Sequence, residues 1–206
     1  MARLTFDMGA YSYGQGLKAI SLMYLAARGA LDEQRRDLDS MIEKYRLHVD
    51  AGGDPIGEWD EDGHTIWDQE DNFRLDQLTI DDALSELRVA TIIAVYHHWE
   101  RCIPTEKGAG SRRHKDLVSG AKAAKIRVHE EIDALRICAN YLKHGNQSQR
   151  AELLERWPTR FNDLTLVADP TAPWDRRLAI PDDTIEWFLD MAKASERPIA
   201  VLHDIP

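Results

Sequence analysis

The hydrophobic and polar positions of this chain follow a helical period over long stretches, and the longest lies near its beginning. Between residues 17 and 48, mostly apolar positions recur at alternating three- and four-residue steps, which is a heptad pattern. The positions are Leu17, Ile20, Tyr24, Ala27, Leu31, Gln34, Leu38, Met41, Tyr45 and His48. This pattern predicts one long helix over about residues 14–49, after an extended or irregular lead-in at 1–13. Two helices are the alternative, because Gly29 weakens a helix and Asp32 can cap a second one.

Further helical patterns follow, separated by turn and proline signals. Thr79, with Asp82 three residues later, resembles a capping box and predicts a helix from Thr79 to Cys102 that ends before Pro104. Shorter helices are expected at about 114–125, 126–144, 149–157 and 184–194, and strand-like segments at 161–167 and 198–202.

Residues 51–78 separate the two long helices and are rich in carboxylates, with Gly and Pro at the start that end the first helix. The pair Asp62-Gly63 favours the turn of a short β-hairpin. The segment lacks the ligand spacing and closing Glu of an EF-hand calcium loop. Its large apolar residues lead us to expect that it packs against the helices. They are Trp59, Ile66, Trp67 and Phe73.

Together these patterns predict a mainly α fold, an up-and-down bundle of four or five helices with an acidic insertion and a small C-terminal extension. Residues 1–148, including the insertion 51–78, would form the bundle domain, and 149–206 would pack on it. The composition, 43% hydrophobic and 30% charged, is typical of a soluble globular protein. No signal peptide is recognisable, and two cysteines do not make a disulfide framework, so we expect a cytoplasmic protein.

The net charge of −10 argues against broad non-specific nucleic-acid binding, but the charge is unevenly placed. Between Asp50 and Asp82 there are twelve acidic residues and one basic residue, whereas 107–127 holds seven basic residues and one acid. This basic segment can meet a phosphate backbone. The candidate nucleic-acid-binding residues are Arg112, Arg113, Lys115 and Lys122. Alternatively, the segment faces the acidic insertion of the same or a neighbouring chain.

The helix expected at 126–144 carries polar side chains on one ridge, about 100° wide at helical spacing. They are Arg136, Asn140, Lys143 and His144, and they border the apolar positions Ile132, Leu135, Ala139 and Leu142. Gly145 ends the helix. A guanidinium neutralises phosphate oxygens, and an imidazole at a helix C-terminus favours the protonated form that a general acid needs. The alternative is an ordinary solvated helix edge.

A second group of functional side chains lies on the preceding long helix. His97 and Glu100, three residues apart, share a face, and Glu100 can hold Arg136 in place. The structural alternative is a plain ion pair within the bundle, in which Arg136 pairs with Glu100 or Asp133. A metal site would need donors from two helices, namely His97, Glu100, His129 and Asp133. No paired metal-binding motif and no nucleotide-binding glycine loop is present, so we expect neither a metal nor a cofactor.

An all-helical chain whose late helix carries Arg, a polar residue and a C-terminal His resembles the HEPN superfamily. The resemblance covers about residues 84–145, and seven residues separate Arg136 from His144, where the family motif has four to six. It implies a metal-independent ribonuclease or an RNA-binding protein of a toxin–antitoxin or phage-defence system. It further implies a homodimer whose two motifs face one another, with Arg136, Asn140 and His144 as catalytic residues and His97, Glu100 and Lys143 as supporting ones.

Two other classes of function remain open at this point. The first is a non-catalytic helical module that binds a protein partner, such as an antitoxin or another product of the same operon. The second is a metal-dependent helical hydrolase. The heptad pattern fits packing within a bundle, and a second copy of the chain is the next candidate partner.

Overall fold

The computed structural model describes residues 2–103, 113–163, 178–195 and 200–204, and these form a mainly α fold. The helices are α1 (Met8–Asp50), α2 (Gln69–Cys102), α3 (His114–Ala123), α4 (Ile132–His144), α5 (Gln147–Arg156) and α6 (Asp182–Ala194). The strands are β1 (Ala2–Phe6), β2 (Gly57–Trp59), β3 (Thr65–Asp68), β4 (Asn162–Asp163), β5 (Leu178–Ala179) and β6 (Ala200–Asp204). They pair antiparallel as β1 with β6, β2 with β3, and β4 with β5.

The long first helix is continuous through Gly29, so the one-helix prediction is confirmed. It begins earlier than predicted, because the Asp7 carboxylate accepts a hydrogen bond from the Ala10 backbone N–H at 3.0 Å and caps the helix there. The lead-in is therefore shorter than expected and contains an extended strand, β1.

The predicted start of the second long helix is wrong. Its first residue is Gln69, and Asp68 caps it by accepting from the Asp71 N–H at 2.7 Å. The Thr79 hydroxyl lies inside the helix and donates to the Leu75 carbonyl at 2.9 Å. A Thr in mid-helix satisfies its hydroxyl in this way, so the capping-box pattern at Thr79 does not mark the start of a helix.

The remaining boundaries differ by a few residues. α4 begins at Ile132, not 126, since Lys125 adopts a left-handed φ of 56° in the connection from α3. α5 begins after Asn146, whose side chain accepts from the Ser148 N–H at 3.0 Å. Of the predicted strand 161–167, residues 162–163 form β4, and residues 164–167 lie outside the described part of the chain.

The chain divides into two compact units, residues 25–87 and residues 1–24 with 88–206. In the first unit α1 and α2 run antiparallel and share a core in which Leu38, Tyr45, Phe73, Ile80 and Leu84 are buried. An ion pair between Arg35 and Asp81 lies beside this core. In this unit only some heptad positions of α1 are buried. Leu38 and Tyr45 face the core, whereas Gln34, Met41 and His48 are exposed.

The acidic insertion contains the predicted β-hairpin, β2 and β3, with Gly63 at a φ of 80° in the turn. The expectation that its apolar residues pack against the helices is wrong for the hairpin. Trp59, Ile66 and Trp67 are 42%, 60% and 40% exposed. Phe73 is buried, but it belongs to α2 and packs edge-on to Tyr45.

The second unit is built around α4, which contacts both α5 and α6. Its largest fully buried side chains include Trp99, Tyr141, Phe161 and Phe188. The predicted C-terminal extension, 149–206, thus falls in the same compact unit as α4. Across the described residues, no helix has an apolar stretch long enough to cross a bilayer.

Candidate functional site

The polar ridge of α4 lies along the side of the helix that does not enter the core. Arg136, Asn140 and Lys143 are half-buried and His144 is exposed. The predicted apolar positions are all buried, as are their neighbours: Ile132, Ala134, Leu135, Ile137, Cys138, Ala139, Tyr141 and Leu142. Gly145 takes a left-handed φ of 66° and donates its N–H to the Tyr141 carbonyl at 2.7 Å, which ends the helix as predicted.

Arg136 is held by Asp133, one turn earlier on the same helix. Its Nε donates to the Asp133 Oδ1 at 2.7 Å. Among the described residues, Arg136 forms no hydrogen bond or ion pair with Glu100, Asn140 or His144. Of the two acids that the sequence offered as partners, Arg136 therefore pairs with Asp133 and not with Glu100, and no described residue accepts a hydrogen bond from its terminal guanidinium nitrogens.

Asp133 is the centre of a charged network, of which the sequence indicated only the pair with Arg136. Besides Arg136, it accepts from the Arg156 Nη1 at 3.1 Å, and the His114 Nε2 lies 3.7 Å from its Oδ1. Arg156 also pairs with Glu152 at 2.5 Å. Burial acts to raise the pKa of Asp133, but the hydrogen bonds and charges of Arg136 and Arg156 outweigh it and hold that pKa below its usual value. The carboxylate is therefore ionised at neutral pH.

His114, the first residue of α3, lies beside Asp133. Its side chain is only 18% exposed and its ring lies 5.6 Å from the Trp99 ring and 6.5 Å from the Tyr96 ring, centroid to centroid. Its Nδ1 is buried without a hydrogen-bond partner. Burial, aided by the Arg136 charge, lowers the pKa of His114, while Asp133 and Glu100 oppose this. The imidazole is neutral at pH 7.

Tyr96 forms the aromatic wall of the site. Burial, with the nearby Glu100 carboxylate, raises the pKa of Tyr96 to about 12, and Arg136 acts against this. The Lys143 Nζ lies 5.9 Å from the centre of the Tyr96 ring, within range of a cation–π interaction. His97 and Glu100 contact each other at 3.1 Å, which confirms that they share a face of α2.

The other predicted site residues lie apart from this network. His144 is eight residues beyond Arg136, which is about 12 Å along the helix axis. Arg113, Lys115 and Lys122 are exposed on and beside α3, and Arg112 lies outside the described residues. The sequence did not indicate His114, because it stands in a basic stretch with no helical partner residue; only the packing of its ring on Tyr96 and Trp99 brings it to Asp133.

The four predicted metal donors do not come together. The Nδ1 of His129 accepts a hydrogen bond from the Glu131 N–H at 3.2 Å, and both oxygens of Asp133 bind arginines. In the described ranges, three metal-type donors meet only at Asp60, Asp62 and His64. These side chains are exposed in the hairpin turn, where Asp60 accepts hydrogen bonds from the backbone N–H groups of Asp62 and His64.

Comparison of the chain with models of protein families, with curated proteins and with solved structures found no match.

Proposed function

We propose that this protein binds RNA, and in its catalytic form cleaves it without a metal, in the manner of HEPN-like proteins. The observation that carries the proposal is the state of Arg136. Asp133 fixes its Nε, while its terminal nitrogens form no hydrogen bond or ion pair with the described residues. A half-buried guanidinium that is positioned on one side and unsatisfied on the other suits bidentate binding of a phosphate.

The chemistry would use the RNA 2′-hydroxyl as nucleophile and Arg136 to neutralise the charge that grows on the phosphorus centre. Asn140, one turn further along the ridge, would position the substrate. His144, at the C-terminus of α4, would donate the proton to the leaving oxygen. Because His144 lies about 12 Å along the helix from Arg136, we propose that it serves the Arg136 of a second copy across a two-fold dimer.

The test is an RNA-cleavage assay in the presence of EDTA, with a fluorescent single-stranded RNA pool and its 2′-deoxy counterpart. Wild type should cleave the RNA and not the DNA. Arg136→Ala should lower cleavage by 100-fold or more, a typical loss when a charge that stabilises the transition state is removed. Arg74→Ala is the matched control, since Arg74 also pairs with an Asp three residues earlier, at 2.8 Å, but is exposed.

Either of two results would contradict the proposal. One is an absence of RNA binding and cleavage in pure wild-type protein at neutral pH. The other is cleavage that EDTA abolishes and Mn²⁺ restores, which would favour the metal-dependent alternative.

A second function, binding of a protein partner, is favoured by the exposed hairpin. Trp59, Ile66 and Trp67 present apolar surface next to Glu58, Asp60 and Asp62, and the Trp67 Nε1 donates to Glu58 at 3.3 Å. Apolar surface beside acidic side chains is typical of an interface for a basic partner. Co-expression with the products of adjacent genes tests this function. A complex with such a product should be lost in Trp59→Ser/Trp67→Ser, whose melting temperature should match wild type.

A further inference from the structure

Among the described residues, two buried ring nitrogens of the site have no hydrogen-bond partner, the Nε1 of Trp99 and the Nδ1 of His114, and of these two rings only the imidazole can accept a proton. Its Nδ1 has no partner, and its Nε2 stands 3.7 Å from the Asp133 oxygen, too far for a hydrogen bond. Burying a polar ring without hydrogen bonds costs stability, so such a group in a folded protein calls for an explanation. Trp99 and Tyr96 hold the ring in place without using either nitrogen.

We propose that His114 accepts the proton from the RNA 2′-hydroxyl at the Arg136 site. This inference rests on the proposed function and gives it a base that the sequence analysis did not contain. It pairs His114 as the base with His144 as the acid.

Arg136 and His114 both lie next to the same carboxylate oxygen of Asp133. The Arg136 Nε and the His114 Nε2 lie 2.7 Å and 3.7 Å from the same Asp133 Oδ1. A phosphodiester bound by the free end of Arg136 therefore lies within reach of the His114 ring. Asp133, ionised through its arginine contacts, stands where it can stabilise the imidazolium once His114 takes a proton.

The charges that face His114 prepare it for this role. The charged groups are Glu100 on α2 and Asp133 and Arg136 on α4, and the uncharged Tyr96 ring faces His114 from α2. With burial, Arg136 keeps the pKa of the free imidazole low, so the ring is an unprotonated acceptor at neutral pH. A phosphate on Arg136 offsets that positive charge, and the pKa of His114 must then rise.

The 2′-oxygen forms a bond to phosphorus as its proton moves to the His114 Nε2, and the bond from phosphorus to the 5′-oxygen breaks. The leaving oxygen takes a proton from the His144 of the second copy. The products are a 2′,3′-cyclic phosphate and a 5′-hydroxyl end, and the net reaction consumes no other reactant.

The primary experiment is an NMR titration of the ring nitrogens in full-length protein with ¹⁵N-histidine. It is recorded free, with inorganic phosphate, and with a 2′-O-methyl RNA that binds but cannot react. His114 should titrate below pH 6.5 in the free protein, the ordinary value for histidine, and rise by one pH unit or more with either ligand. The Arg136→Ala variant should remove the shift.

The second measurement is cleavage by His114→Gln and by the control His129→Gln. We expect a loss of 100-fold or more for His114→Gln with RNA binding within threefold of wild type, and full activity for the control. The acid limb of the cleavage rate should also disappear in His114→Gln, which a loss of packing alone would not cause.

The outcomes separate this inference from the proposed function. Cleavage that depends on Arg136 but survives His114→Gln, or a His114 pKa that bound RNA leaves unchanged, overturns the role of His114 and keeps the function. No response to RNA, with an Arg136-dependent response to phosphate, overturns the RNA function and this step while leaving an anion site. No response to either ligand overturns both proposals.

Discussion

The Nε of Arg136 lies 2.7 Å from the Oδ1 of Asp133, one turn earlier on α4. Side chains on a helix already lean toward its N-terminus, and this contact draws the guanidinium further in that direction. Arg136 therefore points away from His144 and toward His114. Arg136 and His144, which belong to one sequence motif, thus do not share a site within the chain. The residue next to Arg136 at its site is instead His114 of α3.

If Arg136 binds a phosphate, its removal should change the salt dependence of RNA binding. One lost phosphate contact lowers the slope of log K against log salt by about 0.7 for single strands. Arg136→Ala should show this change, and Arg74→Ala should keep the wild-type slope. Fluorescence anisotropy at several KCl concentrations measures it. Equal slopes of log K against log salt for wild type and Arg136→Ala would show that Arg136 contacts no phosphate.

Protein stability should fall with pH as His114 is forced to protonate. Its folded pKa lies below its unfolded value of about 6.5, so the unfolded chain binds more protons in that window. The stability that the neutral ring contributes is present above pH 6.5 and is lost as the pH falls through the folded pKa. Urea unfolding at pH 7.5 and 5.5 should show a smaller difference for His114→Gln than for wild type. Equal differences would mean that His114 titrates normally.

Asp182, at the start of α6, should contribute strongly to the stability of the second unit. It accepts from the Tyr24 hydroxyl at 2.7 Å and from the Arg88 Nε at 2.8 Å, and the Arg88 and Asp182 side chains are each 26% exposed. Asp182→Asn should cost about 1–3 kcal/mol, the range for hydrogen bonds to charged groups. Asp183→Asn is the control, because Asp183 is 64% exposed and, within the described part of the chain, forms an ion pair with Arg160 alone, at 3.3 Å. Comparable losses in thermal unfolding for both variants would refute this difference.

The homodimer that the family resemblance implies stays a prediction. Light scattering should report about twice the 23.5 kDa chain mass at tens of micromolar. A variant at Met41, an apolar heptad position that is 54% exposed, tests whether the dimer uses this face of α1. Met41→Glu should give a monomer with an unchanged unfolding profile, since it removes no packing within the chain. A wild-type monomer would exclude a site shared between two copies.

The sequence by itself determined the local structure of this protein. Heptad spacing specified α1, the Asp62-Gly63 pair specified the hairpin turn, and the apolar stripe of α4 with Gly145 specified a helix with one polar edge. These features depend on backbone preferences and on contacts between residues a few positions apart, and so they can be read from spacing. The misplaced start of α2 shows the limit of that reading, because Thr79 and Asp68 are both good caps and only one is used.

The tertiary structure decided which side chains meet. Helical periodicity shows that Arg136 and Glu100 each lie on a polar face, but it does not show which acid lies nearer to the guanidinium. Asp133 holds Arg136, and Glu100 binds His97. His114 has no periodic signal at all, and only the packing of α3 against Trp99 and Tyr96 brings it to Asp133. Such contacts depend on the relative rotation and translation of whole helices, which the summed packing of the core sets and no local pattern encodes.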